Sequence, residues 1–173
     1  MTDQPKPLWT AAEIAALPEV HIRHPLNPAS DVHLRPVGQM AGLRRLALTV
    51  ARVPPGRESF IYHAHERDEE FLVILSGRGR ALIDGREHEV GPGDIMAFPT
   101  PSVAHHLANP YQEDLVYLMG GERSGLDVGT FPGIGKKILF TGREILLIDE
   151  AATRKLALAE FFPDGPPPDA TEP

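Results

Sequence analysis

A chain of 173 residues, 42% of them hydrophobic, holds enough apolar material for one packed domain and too little length for two comfortable ones. Its formal charge of −7 argues against a nucleic-acid or anionic-membrane surface, and the absence of cysteine excludes disulfides, thiolate metal ligands and a thiol nucleophile. The 18 prolines and 16 glycines suit many short strands joined by tight turns better than long helices.

The first residues, Met1 to Pro7, lack the basic-then-apolar pattern of a signal peptide, and no apolar run approaches the roughly 20 residues of a membrane span. The chain reads as cytoplasmic, with no membrane partner. A short helix comes first. Thr10 stands at its N-cap, Glu13 completes a capping box, and Pro18 ends it. Residues 19–40 carry Pro25, Pro28 and Pro36 and read as an irregular arm over the domain or over a neighbouring subunit.

Strand texture begins at Leu43. Strands are expected over 43–53, 59–65, 70–75, 80–83, 87–90, 95–98, 103–108, 115–119, 137–140 and 144–148. Asp84-Gly85 is a strong hairpin signal, because both positions tolerate positive φ. Residues 150–162 fit a helix or a return strand, and the proline-rich tail from Asp164 reads as disordered. The expected organisation is a helix and extended arm over 1–40, a β-domain over 41–149 and a C-terminal extension over 150–173. Many short, evenly spaced strands predict an all-β sandwich or barrel.

His63 and His65 stand two apart in a strand-like run, so both imidazoles point to one face and Tyr62 to the other. Glu70 opens the next strand, and an antiparallel return brings it beside the histidine pair. His105 supplies a third nitrogen from a distant strand. Three neutral imidazoles and one carboxylate suit a divalent transition metal such as zinc, iron, manganese or nickel, with positions left open on a six-coordinate ion. Glu69 is the alternative to Glu70, and His106 the alternative to His105. His105 and His106 would face opposite ways on a regular strand, so one alone can join the cluster. The plain alternative is that these histidines are polar lining. Arg44, Arg45, Lys136 and Lys137 fit an anionic substrate or ordinary exposed charge. His21, His24 and His33 lack ligand spacing, and His88 follows a hairpin turn.

The run Gly56-x6-His63-x-His65-x4-Glu70-x6-Gly77 resembles the first motif of the cupin superfamily, and Gly93-x5-Pro99-x-Pro101-x3-His105-x3-Asn109 resembles the second. The sequence departs from the family pattern in three places. The first gap is one residue longer, Pro101 replaces the usual glycine, and one residue is inserted before His105. The retained spacings to Gly77 and Asn109 favour Glu70 over Glu69 and His105 over His106. The resemblance implies a double-stranded β-helix, the jelly-roll cupin barrel, with the metal inside on His63, His65, Glu70 and His105. It also implies a homodimer and a small-molecule partner. The leading functional expectation is a metal-dependent enzyme, a dioxygenase or an isomerase, acting on a small polar molecule. Its rivals are a non-catalytic binder or sensor and a purely structural cupin. One fold hosts many chemistries, and the sequence identifies no acid–base residue.

Overall fold

The computed structural model describes residues 6–156 and 160. Helix α1 (Ala11–Ala16) starts on the expected capping box: the Thr10 side chain accepts from the Glu13 backbone N–H, and the Glu13 carboxylate accepts from that of Thr10. Next come strands β1 (Val20–Ile22) and β2 (Val32–Arg35) and a single helical turn α2 (Val37–Met40). The central strands are β3 (Leu46–Val53), β4 (Arg57–Glu58), β5 (Ala64–His65), β6 (Glu70–Ser76), β7 (Gly79–Ile83) and β8 (Arg86–Val90). They are followed by β9 (Ile95–Phe98), β10 (His105–Asn109), β11 (Leu115–Glu122), β12 (Asp127–Phe131), β13 (Lys136–Phe140) and β14 (Ile145–Asp149).

The strands form three antiparallel sheets, in the orders β1-β2-β3-β11-β6-β9, β4-β10-β7-β8 and β14-β13-β12-β5. Alternation decides which residues enter the core. Ala51 and Val53 of β3, Leu72 and Ile74 of β6, Met96 and Phe98 of β9, and Leu115 and Tyr117 of β11 point inward and pack together with Leu107 of β10. Asp84 and Gly85 both take positive φ, as the hairpin between β7 and β8 requires. Gly77 is also at positive φ, and a Cβ there would lie 2.1 Å from the Asp114 carbonyl oxygen, so only glycine fits where β6 ends.

Three expectations are corrected. The stretch read as an irregular arm holds β1 and β2, which extend the six-stranded sheet through pairing of β2 with β3. Its prolines fall between the strands, where no ladder hydrogen bond is lost. The expected strand over 59–65 shrinks to β5, with His63 joined to His105 by an isolated antiparallel bridge. Strand β12 was not anticipated, because Gly129 interrupts an otherwise short apolar pattern. Of the stretch left open between helix and strand, residues 150–152 form one 3₁₀ turn; residues 157–159 and 161–173, which include the tail from Asp164, lie outside the described residues.

Candidate metal centre

Three elements carry the cluster. His65 ends β5, Glu70 opens β6, and His105 opens β10, where its carbonyl and N–H exchange hydrogen bonds with His63 at 3.1 and 2.7 Å. One potential ligand atom from each of His63, His65, Glu70 and His105 lies within 4.8 Å of the others. The Nε2 atoms of His63 and His65 are 3.1 Å apart, and Glu70 Oε2 lies 3.0 Å from His105 Nε2 and 3.6 Å from His65 Nε2. Phe98 stacks flat on the His105 ring at 3.6 Å and fixes its plane. His106 sits on the opposite face of β10, with Nε2 3.6 Å from Glu58 and its ring edge toward Tyr62. Glu69 is exposed, and Tyr62 accepts a hydrogen bond from the Gly85 N–H outside the cluster.

The hydrogen bonds behind the rings decide their tautomers. His63 Nδ1 lies 2.7 Å from the Ile61 carbonyl oxygen and His105 Nδ1 lies 3.0 Å from that of Val103. A carbonyl can only accept, so both Nδ1 atoms carry hydrogen and both neutral rings present an Nε2 lone pair. His65 Nδ1 faces Asp127 Oδ2 at 2.6 Å, with the same consequence. Three lone pairs and a carboxylate oxygen therefore converge with no donor among them. Such a set requires a cation, either a proton or a metal ion, and the donor types fit a divalent transition metal.

Electrostatics divide the histidines. Burial, helped by the neighbouring His105, pushes His63 down to about 4. Burial also acts to lower His65, but the carboxylates of Glu70 and Asp127 outweigh it and raise the group to about 9. Glu70 is held well below the usual carboxylate range: burial opposes this, and hydrogen bonds to His105 and His65 prevail. Asp127 is likewise lowered, against its burial, by His65 and by the backbone N–H groups of Arg67 and Asp68.

A cavity of about 250 Å³ opens above His63, His65 and Glu70. Its walls are apolar: Phe60, Ile61, Met119, Phe131, Ile138 and Phe140. His24 is the further polar side chain on this wall. Its Nδ1 accepts from the Leu26 backbone N–H at 3.2 Å, so the neutral ring carries its proton on Nε2. Burial lowers its pKa and favours that neutral form, and its edge rests on Phe131. Among the described residues nothing pairs with His24 Nε2.

A family model described as a cupin domain matches residues 49–121, from β3 into β11. A solved structure from Acidithiobacillus ferrooxidans, a candidate sugar phosphate isomerase, is 34% identical to this chain. The match covers 90% of this chain and 99% of that one, with a TM-score of 0.85. The chain belongs to the cupin superfamily. A sugar phosphate isomerase of that superfamily from Silicibacter pomeroyi, 21% identical, shares the fold over 82% of this chain and 91% of its own, with a TM-score of 0.72. A candidate oxalate decarboxylase from Thermotoga maritima, 19% identical, does so over 63% and 95%, with a TM-score of 0.55. No curated protein matches the chain.

Two residues of this cupin escaped sequence reading. Asp127 stands between Leu126 and Val128, and a carboxylate in an apolar run is a signal for a buried, partnered charge that went unused. His24 carried no local signal, because the path of the chain between β1 and β2 is what brings it to the cavity. Of the cations considered for anion binding, Lys136 pairs with Asp149 at 3.0 Å and Lys137 with Glu66 at 2.6 Å.

Proposed function

We propose that this cupin is a metal-dependent enzyme, an isomerase acting on a small polar molecule, with one divalent transition-metal ion on His63, His65, Glu70 and His105. The observation that carries this reading is the convergence of three tautomer-fixed Nε2 lone pairs and one carboxylate oxygen beneath a cavity. An ion held there supplies Lewis acidity toward a substrate oxygen. The similarity to a candidate sugar phosphate isomerase favours isomerisation over dioxygen chemistry. The aromatic walls Phe60, Phe131 and Phe140 exclude water from a bound molecule. His24 Nε2–H provides a neutral hydrogen-bond donor to a substrate oxygen, and the lowered pKa keeps a second proton off the ring at neutral pH.

The proposed assembly is a cytoplasmic homodimer. Phe71, Val73 and Leu75 share the outer face of β6 and lie beside Ile95 and Ala97 of β9, an apolar surface suited to a second copy. The function is tested on protein purified without a histidine tag: metal content is measured, then turnover of small hydroxy-aldehydes and hydroxy-ketones is compared in stripped, reloaded and His24→Ala protein. Turnover that returns with metal and falls in His24→Ala supports the reading. Metal and ligand binding with no turnover of any such substrate would move the chain to the binder class.

A further inference from the structure

The cavity above the metal cluster adjoins a larger one of about 940 Å³, and the two share His65, Met119 and Phe140 as walls. Arg44, Arg123 and Arg143 line the larger cavity. None of the three has an ion pair or a side-chain hydrogen bond among the described residues. By contrast, Arg35 and Arg52 are committed to Glu19, and Arg78 to Glu89. Arg45, Arg67 and Arg86 are also unpaired but do not line this cavity.

The fold gathers the three from separate elements. Arg44 precedes β3 and Arg123 follows β11; the Arg123 N–H donates to the Arg45 carbonyl at 3.0 Å, tying the two strand ends together. Arg143 lies in the turn between β13 and β14, and that turn rests on the segment after β11, where a Cβ on Gly142 would sit 3.3 Å from the Gly125 oxygen. Three carboxylates line the same cavity. Asp127 is occupied by His65 and two backbone N–H groups, and Asp68 accepts from the Ser124 N–H. Glu144 bonds Thr141 through its backbone, and its carboxylate has no partner among the described residues.

We propose that Arg44, Arg123 and Arg143 bind a phosphate group of the substrate at the mouth of the metal cavity. This rests on the metal-site reading only for the identity of the reacting end. With Asp127 held by His65, three guanidinium groups face two carboxylates, Asp68 and Glu144, and the planar donor forks of the arginines match the oxygens of a phosphate. On a chain of net charge −7, a mouth edged by arginines also draws an anion to an opening that reaches His65. The substrate then carries its phosphate in the outer cavity and extends past Met119 and Phe140, so that its uncharged end enters the apolar inner cavity.

The test is calorimetric titration of inorganic phosphate into the full-length, metal-stripped protein at low ionic strength, with acetate as the second arm. Saturable phosphate binding is expected, with acetate at least about tenfold weaker. Arg123→Ala and Arg143→Ala should each weaken phosphate by about tenfold, while Lys136→Ala, which lies off the cavity, leaves it unchanged. Thermal melts confirm that the variants fold. No phosphate binding, equal binding of acetate, or full binding in both arginine variants overturns the proposal. Because the protein is stripped, these outcomes are independent of whether His63, His65, Glu70 and His105 hold an ion.

Discussion

Two histidine–carboxylate clusters in this molecule look alike on distance alone. One is the group of His63, His65, Glu70 and His105; the other is His21, Asp31 and His33 between β1 and β2. In the second, the two rings lie opposite each other on paired strands and stack at 4.6 Å with 9° between planes. Both Nε2 atoms face one oxygen of Asp31, at 2.9 and 3.2 Å. The surroundings differ. Arg23 and Arg57 approach the other Asp31 oxygen at 3.6 and 3.9 Å, and the Glu19 carboxylate behind His33 is shared with Arg35 and Arg52 at 2.9 and 2.7 Å. Permanent cations already neutralise those carboxylates. The cavity over the first cluster has no arginine or lysine on its walls, so no permanent side-chain cation there supplies the charge its donors need. The second cluster is a lattice of charge that joins β1, β2 and β3. Which cation the carboxylates face, and not donor spacing, separates the two.

The largest effect expected from this comparison concerns metal content. Wild-type protein should hold about one transition-metal ion per chain. His63→Ala, His65→Ala, Glu70→Ala or His105→Ala should each abolish tight binding, while His106→Ala, His21→Ala and His33→Ala should leave the stoichiometry unchanged. Elemental analysis after growth in metal-replete medium decides it. Loss of the ion in the His21 or His33 variants, or two ions per chain, would break the distinction.

Much of the first cluster was legible because strand geometry writes itself into sequence. Period two aligned His63 with His65, and the glycine that ends β6 fixed the count back to Glu70. His105 against His106 was a question of parity, and the spacing to Asn109 answers it: Asn109 points inward, its amide donating to the carbonyls of Val53 and Glu113, so His105 on the same face points inward too. The charge environment was not legible. Asp127 meets His65 across 62 positions of sequence, and the arginines that saturate the arm cluster come from β2, β3 and β4 as well as from the arm. Local periodicity carries no information about such meetings. The arm misled for a related reason: β1 and β2 are too short to show a pattern, and only pairing with β3 makes them strands.

A smaller effect tests the claim that the arm cluster is structural. Glu19 accepts from Arg52 Nε and a terminal guanidinium nitrogen at 3.1 and 2.7 Å and also meets Arg35 and His33. These contacts hold its pKa below the usual range: the Arg52 hydrogen bond leads, and partial burial opposes it. The group is only part-buried, so Glu19→Ala should cost about 1–2 kcal/mol rather than the larger penalty of a buried pair. Urea unfolding should show the loss with metal content intact. A variant as stable as wild type would mean that β1 and β2 are held by their ladders alone.

The finest test reads the two states of His65. In the metal-free protein its pKa is raised to about 9, above the ordinary histidine value of roughly 6.5. The stability this cation contributes is therefore fully present below roughly pH 6.5 and is lost as pH rises through about 9. His63 runs the other way. Its value of about 4 means that it is already neutral at pH 8, and Glu70, held low, is already ionised. His65, raised to about 9, still carries its extra proton at pH 8 and must lose it when an ion takes its Nε2. Metal uptake at pH 8 in weak buffer should thus release about one proton per ion, falling away as pH rises through about 9. Asp127→Asn removes one of the two carboxylates that hold the proton, so it should reduce the release at pH 8. It should also weaken metal binding by about 10–100-fold, since the same carboxylate orients the ring. A pH indicator followed during nickel titration measures both. Uptake at pH 8 with no proton released would show that His65 is neutral before the ion arrives, and that the cation completing this cluster is never a proton.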